Sequence, residues 1–238
     1  MKKLIAAILI IALLANGLLV GCGGILTGSG NLKTEEYSFS DFNKVEISSA
    51  FNFEISKSSS YSVSVTADDN IIEKVRVTKE GDILKIGLQP FIRLGSVTLR
   101  ANVVMPQLHG LDVSGASRGT VSEFSSIEDI DIKVSGASRV TGDITGGDAE
   151  FDISGASSIQ LEGSATNIVA DVSGASSFDL SSFKVNNANI DISGASTGTV
   201  NLSGRLDADL SGASKLSYIG EPTMGNVNTS GASTLSKK

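Results

Sequence analysis

The four residues Ser-Gly-Ala-Ser begin at Ser114, Ser135, Ser154, Ser173, Ser193, Ser211 and Ser230, so consecutive copies are 21, 19, 19, 20, 18 and 19 residues apart. A catalytic motif is used once because one substrate meets one nucleophile, whereas an architectural device recurs as often as the architecture does. Self-similarity near twenty residues marks a stacked-repeat fold. A leucine-rich horseshoe has a similar period but requires Leu-x-x-Leu-x-Leu with an asparagine ladder, and neither is evident on reading the chain. A β-solenoid is the remaining candidate.

Parity supports it. Ile190, Ile192, Gly194, Ser196, Gly198, Val200 and Leu202 keep apolar or small residues at every second position. The same register holds in Phe151, Ile153, Gly155, Ser157, Ile159 and Leu161. A period of two sustained over this length is extended strand, with one face buried. The sequence therefore predicts an all-β chain, a parallel β-helix of about 19–20 residues per coil, which bends at each Gly-Ala pair. Seven coils at about 4.8 Å each would stack to about 34 Å. In this reading Gly115, Gly136, Gly155, Gly174, Gly194, Gly212 and Gly231 are there for close stacking. The second serine of each copy points inward and passes hydrogen bonds along its own column.

The first half is less regular. The stretch from Val45 to Ile55 keeps the phase of the repeat as an eighth, degenerate copy, and strands are expected at 61–66, 75–79, 83–88 and 97–105, with a helical turn after Asp68-Asp69-Asn70. The expected organisation is a leader over 1–21, a linker over 22–33, irregular cap-like coils over 34–110 and the regular solenoid over 111–238. The chain stops five residues after the last Ser-Gly-Ala-Ser, with no obvious cap at that end.

The leader itself reads MKKLIAAILIIALLANGLLVGC: two lysines, an apolar run, then Leu19-Val20-Gly21-Cys22. This is a secretory signal sequence, and LVGC resembles the bacterial lipobox, whose cysteine receives lipid. Cys22 is the chain's one cysteine, so it has no disulfide partner here, and lipidation accounts for it. The expectation is an exported lipoprotein of the bacterial cell envelope, tethered to membrane through Cys22. Removing 1–21 leaves 17 basic residues against 26 acidic ones, a net charge of about −9 that disfavours nucleic acid as a partner.

The lipobox, Gly28-Ser29-Gly30-Asn31, Asp41-Phe42-Asn43-Lys44-Val45 and the repeated x-Asp-x-Ser-Gly-Ala-Ser units together resemble the GIN-domain family, described as the head domain of auto-transporter adhesins. The likeness runs from about Gly28 to Ser236. It implies a right-handed, single-stranded parallel β-helix on an exported, often lipid-anchored protein, with no catalytic residues to carry over. The chain has Gly-Ala-Ser where members often show Gly-Ser-Gly.

Three chemical readings compete with a purely structural one. Gly115-Ala116-Ser117-Arg118-Gly119 and Gly194-Ala195-Ser196-Thr197-Gly198 match G-x-S-x-G, which requires a strand-to-helix turn and a histidine base. No helix is expected after either, and the single histidine, His109, reads as a loop residue. Asp112, Asp152, Asp171, Asp191 and Asp209 each stand two positions before a repeat serine, outward by parity, with Lys133 and Asn228 in the same place in the other two copies. Stacked carboxylates repel unless they bond locally, pair with cations or bind metal; Asx-type bonding at the bend is the expected solution, with calcium on Asp152, Asp171, Asp191 and Asp209 the weaker one. A carbohydrate-active β-helix, a lyase or hydrolase, and a rigid array for a repetitive glycan, mineral or ice surface are the alternatives. The expected function is non-catalytic display, adhesion or binding of an unidentified glycan or protein at the cell surface, with no cofactor.

Overall fold

The computed structural model describes residues 25–238, so the leader and Cys22 lie outside the described residues. The alternation read from sequence places strands on two long sheets. After a bridge at Leu26, the N-terminal part forms β1 (Leu32–Tyr37), β2 (Lys44–Ile47), β3 (Asn52–Lys57), β4 (Ser62–Asp68), a 3-10 turn (Ile72–Lys74), β5 (Val75–Glu80), β6 (Ile83–Leu88) and β7 (Leu99–Met105). The regular part alternates between the sheets. In one stand β8 (Gly110–Val113), β10 (Ile130–Val134), β12 (Ala149–Ile153), β14 (Asn167–Val172), β16 (Asn187–Ile192), β18 (Arg205–Leu210) and β20 (Thr223–Thr229). In the other stand β9 (Arg118–Ser125), β11 (Arg139–Thr145), β13 (Ser158–Ser164), β15 (Ser177–Val185), β17 (Thr197–Leu202), β19 (Lys215–Ile219) and β21 (Thr234–Lys237). Each Ser-Gly-Ala-Ser is the bend from a strand of the first sheet to a strand of the second. The chain is a parallel β-solenoid, two strands to the coil.

Between the sheets lies one continuous apolar core. Ile153, Val172, Ile192 and Leu210 are cross-strand partners in sequence and all are buried. Glycine at an inward position leaves room for a ring on the next rung. Phe53 partners Gly119 and Phe178 partners Gly198, and a Cβ on Gly198 would stand 2.1 Å from the Phe178 ring. This large-against-small matching lets a core with few aromatics reach native density.

The N-terminal part departs from simple coiling. Strand β2 lies between β6 and β8, and β3 lies between β7 and β9, so the rung built first ends up inside rungs built later. Beyond them β5 and β4 run antiparallel to their neighbours, and β1 closes the edge of its sheet antiparallel to β4. Charged residues along β1, among them Lys33, Glu35 and Glu36, cover that edge, which discourages strand addition. Asp68, at the end of β4, is buried and accepts the backbone N–H of Thr98 at 2.7 Å and of Gly30 at 2.8 Å. These bonds hold its carboxyl below the usual range and tie the segment before β1 to the body.

The corner opposite the Ser-Gly-Ala-Ser bend corrects one reading. Asp129 Oδ1 accepts from Asp148 N, Asp148 Oδ1 from Asn167 N and Nδ2, Asn167 Oδ1 from Asn187 Nδ2, and Asn187 Oδ1 from Arg205 N, all at 2.8–3.1 Å. An Asp/Asn ladder is therefore present, in a solenoid without leucine-rich repeats. Its members stand six positions before each repeat serine, an offset disguised by alternation between Asp, Asn and Arg.

Candidate functional site: the bends and the two outer faces

At each bend the glycine has a positive φ, from 69° at Gly231 to 80° at Gly115. The alanine N–H after it donates to the glycine carbonyl one rung below, as Ala156 does to Gly136 and Ala175 to Gly155, both at 2.8 Å. The bends thus stack backbone on backbone. A Cβ on Gly155 would stand 2.4 Å from the Gly136 oxygen, so the position excludes every other residue twice, by φ and by space.

The second serines, Ser117, Ser138, Ser157, Ser176, Ser196 and Ser214, are all buried. Along the column, the N–H of Ser138 donates to Ser157 Oγ at 3.4 Å, that of Ser157 to Ser176 Oγ at 3.4 Å, and that of Ser176 to Ser196 Oγ at 3.3 Å. The column therefore passes bonds from the backbone N–H of one serine to the hydroxyl of the serine on the next rung. At its ends the hydroxyls turn to carbonyls instead, Ser117 to Ser114 and Ser233 to Ser230. Ser117 and Ser196, the serines of the two G-x-S-x-G matches, are closed off from any substrate.

The aspartates form one outward row. Glu46, Asp112, Lys133, Asp152, Asp171, Asp191, Asp209 and Asn228 are successive cross-strand partners, each about 4.8 Å from the next. Partial burial, then Asp171 and Asp209 on either side, raise the Asp191 carboxyl above its usual range. Burial and Glu46 raise Asp112, opposed by Lys133. None of the five carboxylates is in a hydrogen bond among the described residues, so the Asx-type bonding read from sequence is not how they are accommodated. They sit within strands, and their side chains stand off the sheet away from the N–H groups of the bend. Among the described residues no group of three or more His, Cys, Asp or Glu side chains is arranged to hold a metal ion.

The other outer face, on the eleven-stranded sheet, is shaped differently. One depression of about 620 Å³ lies over β7, β3, β9 and β11 and a second of about 460 Å³ over β11 to β19, with Arg139 and Thr141 common to both. One row along this trough reads Thr66, Arg100, Asn52, Arg118, Arg139, Ser158 and Ser177. The row beside it reads Asn102, Glu54, Thr120, Thr141, Gln160 and Asp179. Arg139 Nε donates to Ser158 Oγ at 3.0 Å. Sequence reading missed this trough. Its only local signal was a basic or hydroxyl residue directly after each second serine.

The fold recurs in solved structures. A "putative adhesin" from Bacteroides fragilis superposes with a TM-score of 0.83 at 19% identity, covering 90% of this chain and 100% of that one. A "putative adhesin" from Parabacteroides merdae gives 0.67 at 17%, covering 90% and 98%. A "Putative lipid binding protein" from Parabacteroides distasonis gives 0.60 at 18%, covering 90% and 100%. No curated protein matches the chain. A family model described as "Putative auto-transporter adhesin, head GIN domain" matches residues 41–222.

Proposed function

Because the chain belongs to that GIN-domain family, we propose that it is a non-catalytic adhesive or binding module, displayed at the bacterial cell envelope from a lipid on Cys22. The observation that carries the reading is the contrast between the inside and outside of one repeat. Its second serines are buried in the stack, while its outward positions on the eleven-stranded sheet form a trough along the solenoid axis, with two rows of polar side chains and rigid because each rung bonds to the next. Such a surface suits an extended ligand lying along it and offers no enclosed cleft for chemistry. The lipobox and apolar leader support the tether and export. Among the described residues no helix is long and apolar enough to cross a membrane.

Two measurements test the proposal. Cys22→Ser should move the chain from the membrane fraction to the soluble fraction; retention would point to the apolar leader as the anchor. Cells displaying the parent chain should bind an immobilised glycan and extracellular-matrix panel more than cells carrying Cys22→Ser. Equal binding to every member would remove the adhesive role.

A further inference from the structure

Three arginines cluster on one short stretch of the trough. Arg118 and Arg139 are direct cross-strand partners on β9 and β11, about 4.8 Å apart. Arg100 follows on β7 beyond Asn52 of β3, two strand spacings or about 9.6 Å from Arg118. All three are exposed. Among the described residues none is in an ion pair, and neither is Glu54, the carboxylate lining the same depression. Like charges directly opposite on a sheet are destabilising. This chain is acidic overall, at −7 for the full sequence, yet Glu54 is the one carboxylate among the residues lining this depression, against three arginines.

We propose that this depression binds a linear anionic polysaccharide, its carboxylate or sulfate groups seated on Arg100, Arg118 and Arg139 and its hydroxyls on the amide and hydroxyl row beside them. The proposal rests on the reading of the chain as a binding module and names the class of ligand. Guanidinium groups take carboxylates and sulfates through paired N–H donors. Asn102, Thr120, Thr141 and Gln160 offer both donors and acceptors, as sugar hydroxyls require. The trough continues past β11, so a polymer has room to run on along the axis. No aromatic side chain stands on these outer rows, so single-stranded nucleic acid finds no stacking platform. A protein partner would find no buried aromatic anchor either.

The test uses the full-length chain purified in detergent, with polygalacturonate, dextran sulfate and uncharged dextran as probes. The parent should bind at least one of the two polyanions and not dextran, more weakly as salt is raised. Arg118→Gln/Arg139→Gln should weaken that binding about tenfold. Arg76→Gln/Lys79→Gln, which removes the same charge from β5 on the other sheet, should leave it unchanged. Binding to polygalacturonate alone identifies carboxylate as the group read, and binding to dextran sulfate alone identifies sulfate. Should the double arginine variant not melt like the parent, Arg100→Gln carries the comparison, with a loss of about threefold. Equal loss in the β5 control, or undiminished binding in the arginine variants, overturns the assignment. So does failure to bind either polyanion, while any binding of cells to neutral glycans or proteins would leave the adhesive reading standing.

Discussion

Gly155 lies so close above Gly136 that a Cβ added to it would meet the Gly136 carbonyl oxygen at 2.4 Å, and its φ of 78° is one that side chains avoid. Gly155→Ala should therefore lower stability by about 2 kcal/mol or more, the left-handed cost plus the displacement of a backbone that cannot yield without breaking the Ala156 to Gly136 bond. Urea unfolding monitored by circular dichroism measures it. An unchanged midpoint would show that the bends do not set the spacing of the rungs.

Ser49 holds the same place in the degenerate first copy, with φ 68° and no glycine. Its hydroxyl makes two long bonds, from Leu88 N at 3.4 Å and with Ser48 Oγ at 3.4 Å. Ser49→Gly should relieve the left-handed strain and raise stability by about 1 kcal/mol, read as a higher urea midpoint with the same slope. A lower midpoint would mean that the hydroxyl outweighs the strain.

The Asp171–Asp191–Asp209 row should make the protein more tolerant of mild acid. Since the folded state raises the Asp191 pKa, that group's contribution favours folding below its unfolded pKa and is lost as pH rises through the folded value. Asp171→Asn with Asp191→Asn should raise the melting temperature at pH 7 and have less effect near pH 3. Added calcium should not change the parent's melting. A calcium-dependent rise that vanishes in the double variant would instead assign the row as an ion site.

Asp207 shows the opposite sign. The Arg205 guanidinium, with Asn226 N–H behind it, holds its carboxyl down to about 2, so its contribution is present at neutral pH and is lost as pH falls toward that value. Arg205→Gln should therefore bring the acid unfolding of the chain to a higher pH. Acid titration followed by tyrosine fluorescence would reveal no shift if the pair were energetically idle.

Asn167 joins two rungs of the corner ladder, donating to Asp148 and accepting from Asn187. Asn167→Ala leaves the backbone N–H bond to Asp148 in place but removes the Nδ2 donor and the acceptor for Asn187, and should cost about 1 kcal/mol. Asn167→Asp keeps the acceptor but loses the donor to Asp148 and should fall between, the shortfall shrinking at low pH.

Much of this architecture was legible because the repeat is local. The period of Ser-Gly-Ala-Ser gives the stacking, and alternation through residues such as Ile190, Ile192 and Val200 gives the buried face without knowledge of any partner strand. The N-terminal order was not legible. Lys44 pairs with Gly110, and nothing periodic in the sequence announces a pairing across the five strands between. The arginine cluster was hidden for the same reason: Arg100 comes near Arg118 because β7 and β9 both pair with β3, a strand far earlier in the chain. The ladder of Asp129, Asp148, Asn167 and Asn187 was readable in principle, since its offset from the bend is constant, but its mixed chemistry obscured it.

The out-of-order rungs at the N-terminus fix register once, where Ile47 meets Val113, and every later rung repeats that alignment at its bend, the bulges falling within the strands away from it. Length is therefore a separable variable. Excising 154–172 would join Ile153 to Ser173, restore Ser-Gly-Ala-Ser at the junction and bring Gly174 over Gly136. The body would shorten by one step of about 4.8 Å with its core phase intact. Built this way, the protein is a ruler graduated in rungs, and its reach from whatever holds its first residues can change by whole graduations without redesigning the fold.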